Sequence, residues 1–141
     1  MASERVQRFL DALDALEQSK DIGPMTACFT DDCEVGNVLV PHKFHGPDGV
    51  KQFWSEYRGS FGDVRSEFRN IIESQDRAAL EWVSRGATAD GQHFEYEGVS
   101  ILELEGDRIR RFHALFDPSR LGRQMEAREG RSAGREVSVP A

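Results

Sequence analysis

Between Val6 and Leu16 the apolar residues recur at helical spacing. Val6, Phe9, Leu10, Leu13 and Leu16 fall on one face, and the charged residues between them fall on the other. The pattern predicts an amphipathic first helix with Ser3 placed to cap it. Asp21 to Phe29 reads as a second, shorter helix, with Pro24 in its first turn and Met25, Cys28 and Phe29 on one side. Residues 33–40, CEVGNVLV, read as a strand that runs into the irregular loop PHKFHG. In GPDGVKQFWSEYRGSF, Gly46 or Asp48 starts a third helix, whose Val50, Phe53, Trp54 and Tyr57 share a face; Gly59 and Gly62 end it.

From there the period changes. Strands are predicted at about 64–73, 77–88, 93–104 and 108–117, joined by SQD, ADGQ and EGD, with Gly91 and Gly106 where a tight connection favours positive φ. Helices followed by a four-stranded antiparallel meander make an α+β arrangement. The apolar periodicity stops after Met125. The expected organisation is one domain over residues 1–121, then a short helix over Leu121 to Arg128 and a tail to Ala141 that is disordered or docks on a partner subunit through Val137 and Val139.

Composition narrows the classes. The 141 residues suffice for one domain with a substantial core, and a net charge of −7 opposes binding to nucleic acid or an anionic membrane. The arginines between Arg123 and Arg135 alternate with Glu126 and Glu129, as in a solvated tail. The N-terminal stretch MASERVQRFLDALDALEQSK is charged throughout, so a cytoplasmic location is expected. Cys28 and Cys33 have neither disulfide-framework nor zinc-site spacing. His42 and His45 flank Phe44, but no third ligand converges on them, and no metal or organic cofactor is expected.

The candidate chemistry lies in HALFDPSRL, residues 113–121, where Asp117 interrupts an apolar run. It reads either as a turn and capping residue before Pro118 or as a base at the mouth of a pocket. Strict alternation puts Ile109, Arg111, His113, Leu115 and Asp117 on one face of the last strand and Arg110, Phe112, Ala114 and Phe116 on the other. His113 therefore reads as a partner of Asp117, or as a half-exposed strand histidine. Glu81 and Arg85 share a strand face, as a structural ion pair or with Arg85 as a ligand contact.

Four segments, FTDDCEV, FHGPDGVKQFW, IIESQDRAALEW and EYEGVSILELEGDRIRRFHALFD, taken in this order and spacing, resemble the SnoaL-like family of the nuclear transport factor 2-like, or cystatin-like, superfamily. The resemblance covers most of residues 5–121. It implies a strongly curved antiparallel sheet wrapped as a cone around the helices, a pocket at its wide end and, usually, a homodimer through the sheet. Trp54 and Tyr57 would then line the pocket, or simply pack as core. In the SnoaL-type polyketide cyclases an aspartate ending the last strand is the acid/base, and Asp117 falls at that place. Tyr57, His113, Tyr96 or Arg85 would donate to the enolate formed. Limonene epoxide hydrolases are similar in fold, but their strand carries an aspartate two residues from the arginine, where this chain has Ala87 after Arg85. The function implied is cofactor-independent proton transfer, cyclisation or isomerisation, on a small hydrophobic carbonyl compound. The alternative is a non-catalytic ligand-binding or dimerisation module. An open pocket holding Asp117 would favour the enzyme, and one filled by aromatic rings the module.

Overall fold

The computed structural model describes residues 2–122, so the expected tail over 123–141 lies outside the described residues. Ser3 caps the first helix, α1 (Glu4–Ser19), its hydroxyl accepting from the Val6 N–H at 3.5 Å. Lys20, at φ 59°, ends the helix in the left-handed region. Val6, Phe9, Leu13 and Leu16 are buried, as the spacing predicts. The third helix, α3 (Gly46–Gly59), has a proline in its first turn and buries Val50, Phe53, Trp54 and Tyr57.

The second helix and first strand differ from the sequence reading. Helix α2 spans only Gly23–Ala27, and strand β1 already starts at Phe29 and ends at Asn37. The reason is tertiary. The Cys28 carbonyl accepts from the Ile109 N–H at 2.8 Å, and Phe29 pairs with Ile109 in a parallel ladder that helical periodicity cannot foretell.

After the short β2 (Phe44–His45) and α3 come β3 (Asp63–Glu73), β4 (Arg77–Ala87), β5 (His93–Glu105) and β6 (Arg108–Phe116). The expected four-strand meander is thus part of a curved six-stranded sheet, in the order β2-β1-β6-β5-β4-β3. Gly91 and Gly106 have φ of 92° and 62° in the tight β4–β5 and β5–β6 turns. α1 and α3 fill the concave side, where Phe9, Phe53 and Trp54 meet Leu80, Leu102 and Phe112.

Register shifts bend the sheet and reset side-chain parity. Between β5 and β6, Glu103 pairs with Arg111 but Leu104 pairs with Ile109, leaving Arg110 as the extra residue. Ile109 and Phe112 therefore both point into the core. Beyond the bulge Ala114 also points inward, whereas Arg111, His113 and Leu115 take the convex face. That face carries Val99, Ile101 and Leu115 among ion pairs, Arg111 bridging Glu34 and Glu103 at 3.2 Å each.

Candidate functional site

Glu17 sits four residues after Leu13 on the buried stripe of α1, and it is only 4% exposed. An isolated carboxylate there would be costly, so its partners define the local design. The Tyr57 hydroxyl of α3 donates to its Oε2 at 2.6 Å. On β3, the Ser66 hydroxyl donates to the same oxygen at 2.6 Å and the Ser66 N–H donates to Oε1 at 2.8 Å. Arg58 fixes the backbone, its Nε donating to the Glu17 carbonyl at 3.1 Å and its NH1 to the Phe61 carbonyl at 3.0 Å. Burial pushes the Glu17 carboxyl above the ordinary carboxylate range, against the opposing pull of the Ser66 and Tyr57 bonds. Burial and the neighbouring Glu17 charge push the Tyr57 phenol well up.

The bonds fix the direction of a proton chain. Ser66 Oγ lies 2.7 Å from Ser84 Oγ on β4. When Glu17 is ionised, the single Ser66 hydroxyl proton is committed to Glu17, so Ser84 must donate to Ser66. Protonating Glu17 allows the whole chain to reverse. Ser84 then presents a proton where it previously presented lone pairs.

Ser84 faces a cavity of about 20 Å³, room for about one water, lined by rings of Phe9, Trp54, Phe68, Trp82 and Phe112 and by Tyr57, Ser66 and Ser100. Trp82 Nε1 donates to Ser100 Oγ at 2.9 Å. Trp54 Nε1 is buried with no hydrogen-bond partner among the described residues. Glu17 stands behind this wall, in contact with it through Tyr57 and Ser66.

Of the residues singled out from the sequence, Trp54 and Tyr57 line the cavity. The other four do not meet there. Asp117 is exposed, and its Oδ1 accepts from the Ser119 and Arg120 N–H groups at 3.0 and 3.3 Å, capping a helical turn over 118–122. This corrects the cavity-facing placement: the Arg110 bulge reverses the parity on which it rested, and β6 ends at Phe116. His113 likewise faces the convex side. Burial lowers its pKa, with Lys43 and Arg111 adding to the effect and Glu34 opposing it. Arg85 is also convex, paired with Glu95 at 2.9 Å and Glu67 at 3.3 Å, which is the cross-strand ion pair that its strand face allowed. Tyr96 is buried on the concave side against Trp82 and Phe116, its hydroxyl without a partner among the described residues, but it does not line the cavity. His45 Nε2 lies 3.5 Å from Glu34 Oε1, and no metal-holding group of His, Cys, Asp or Glu occurs among the described residues.

Asp117→Asn should leave the melting temperature nearly unchanged, because the amide oxygen accepts the same bonds. Asp117→Ala should cost about 1 kcal/mol, the usual worth of such a cap. Thermal unfolding of both variants checks this. Equal losses would mean that the charge, not the cap, matters.

The sequence reading missed Glu17, Ser66, Ser84 and Ser100. A signal for Glu17 existed: a carboxylate at i+4 from Leu13 in an otherwise apolar stripe. The serines gave none, since only sheet register brings Ser66 opposite Ser84.

A family model for the SnoaL-like domain matches residues 6–112. No curated protein matches the chain. Among solved structures, the fold is similar to TerC co-crystallised with polyporic acid (TM-score 0.77, 18% identity, 88% of this chain and 99% of that one). It is also similar to a putative isomerase from Rhodopseudomonas palustris (TM-score 0.78, 14% identity, 90% of this chain and 99% of that one). A third is an LEH-like epoxide hydrolase of M. tuberculosis (TM-score 0.68, 16% identity, 87% of each chain). At these identities the likeness is one of fold.

Proposed function

The chain belongs to the SnoaL-like domain family, and on that footing we propose that it transfers a proton on a small hydrophobic carbonyl compound held in the concave cavity, without a cofactor. The observation that carries this reading is the buried Glu17 carboxylate, joined to the cavity wall by the Ser66 and Ser84 hydroxyls at 2.6 and 2.7 Å. Desolvation raises its proton affinity, which suits a base acting on a carbon beside a carbonyl. Ser84 takes the substrate proton on a lone pair as its own passes to Ser66 and the Ser66 proton passes to Glu17. The C–H electron pair becomes the enolate, and reversal of the chain returns a proton to carbon. A ring-sized substrate needs one lining side chain to yield. Phe68 is the one placed to do so, half-buried on the edge strand β3 beside its register shift.

Solvent deuterium incorporation at the α-carbon of cyclohexanone, followed by proton NMR, tests the reading. The protein should accelerate exchange over buffer, and Glu17→Gln and Ser84→Ala should each lose most of that rate, about a hundredfold. The rate should rise with pH through the raised Glu17 pKa, because the ionised form is the base. Exchange that survives Glu17→Gln sinks the proposal. A second reading, a non-catalytic module of the same fold, is favoured by one feature: aromatic rings leave only about 20 Å³ of the cavity unfilled. Absence of any exchange above buffer would support it.

A further inference from the structure

Trp54 carries a polar atom that the core leaves unanswered. Its indole is 2% exposed and gripped by Phe53 and Phe112 with ring centroids at 5.0 Å, by Tyr57 at 5.6 Å and by Phe9 at 6.0 Å. An indole N–H can only donate, and a buried donor without an acceptor loses the hydrogen bond it had in water. The other indole of the cavity, Trp82, is satisfied by Ser100. That bond uses a lone pair of Ser100 Oγ and leaves the Ser100 hydroxyl proton for another acceptor. The Trp54 Nε1–H and the Ser100 O–H are therefore donors without an acceptor among the described residues, on side chains that line the cavity, whereas Ser84 offers lone pairs there while Glu17 is ionised; the empty space is about the size of one water, not of a ring.

We infer that the cavity selects ligands through an oxygen acceptor, a carbonyl or enolate oxygen, which the Trp54 Nε1–H and the Ser100 O–H hold. The inference rests on the proposed reading only in taking the cavity as the ligand site; it concerns recognition and does not require proton transfer. A compound bearing a donor in place of that oxygen would leave both groups unanswered. An apolar isostere would do the same. Enolate charge forming on the oxygen strengthens both bonds, so the same pair stabilises the intermediate.

Cyclohexanone and methylenecyclohexane have nearly the same shape and differ in C=O against C=CH₂. They are titrated into ¹⁵N-labelled protein, both as wild type and as Phe68→Ala, whose missing ring widens the cavity. The chain has two tryptophans, so the spectrum carries two indole N–H resonances. Cyclohexanone should bind about tenfold more tightly than the alkene. It should move the Trp54 resonance downfield by far more than that of Trp82. Trp54→Phe should erase the preference, so that the two compounds bind with equal affinity. Equal affinities, or a preference that survives Trp54→Phe, overturn the inference and leave the cavity as a ligand site. If neither compound binds even Phe68→Ala, the inference and the assignment of the site fall together. A preference that holds while exchange ignores Glu17→Gln strikes only the proton-transfer reading.

Discussion

Replacing Glu17 with alanine is expected to lower the unfolding free energy by about 3–5 kcal/mol, a large share of a small domain's stability. Three donors converge on that carboxylate, the Tyr57 hydroxyl and the Ser66 hydroxyl and N–H. Alanine would leave the buried Tyr57 hydroxyl unanswered and open a void between α1 and β3. Glutamine is different. It fills the same volume and still accepts from the Ser66 N–H, so it should stay within about 1 kcal/mol of wild type at low pH. Burial raises the folded-state pKa of Glu17 above 4.5, so the folded protein binds the proton more tightly than the unfolded chain. The stability this contributes is full below the unfolded pKa and is lost as pH rises through the folded one. The Glu17→Gln variant lacks this loss. Urea unfolding across pH 4 to 8 should therefore show glutamine gaining on wild type as pH rises. A flat difference would mean that Glu17 ionises in the fold as it does in water.

The second large effect is expected at Gly98 in β5. A Cβ there would collide with the Leu115 carbonyl oxygen and sit 2.8 Å from the Trp82 ring. The first of these is backbone of the paired strand β6 and cannot turn aside. Gly98→Ala should destabilise the protein by about 3 kcal/mol through overpacking. It should also shift the Trp82 indole resonance, because that ring forms a cavity wall. Gly59, whose Cβ position meets nothing within 4 Å, is the control: Gly59→Ala should cost little. Equal melting temperatures for the two variants would show that β5 and β6 separate freely at this point.

The sequence by itself determined the local elements. Helical spacing of Val6, Phe9, Leu13 and Leu16, and of Val50, Phe53, Trp54 and Tyr57, marks the faces that bury, because a helix returns to the same side every 3.6 residues. Two-residue alternation and glycine turns located the long strands to within a residue or two of their ends. The motif order carried the SnoaL-like family. What needed long-range pairing was decided by the tertiary structure alone. The parallel β1–β6 ladder, set between residues some 80 positions apart, drew Phe29 out of a helix and into the sheet. One extra residue, Arg110, shifted the β6 register, and a one-residue slip exchanges the faces of a strand. That slip turned His113 outward and left Asp117 as a cap, so the chemistry read from HALFDPSRL was misplaced. The Glu17, Ser66 and Ser84 chain spans a helix and two strands. No spacing in the sequence links those three residues, since only the folding of α1 onto β3 brings a carboxylate within 2.6 Å of a serine 49 positions away.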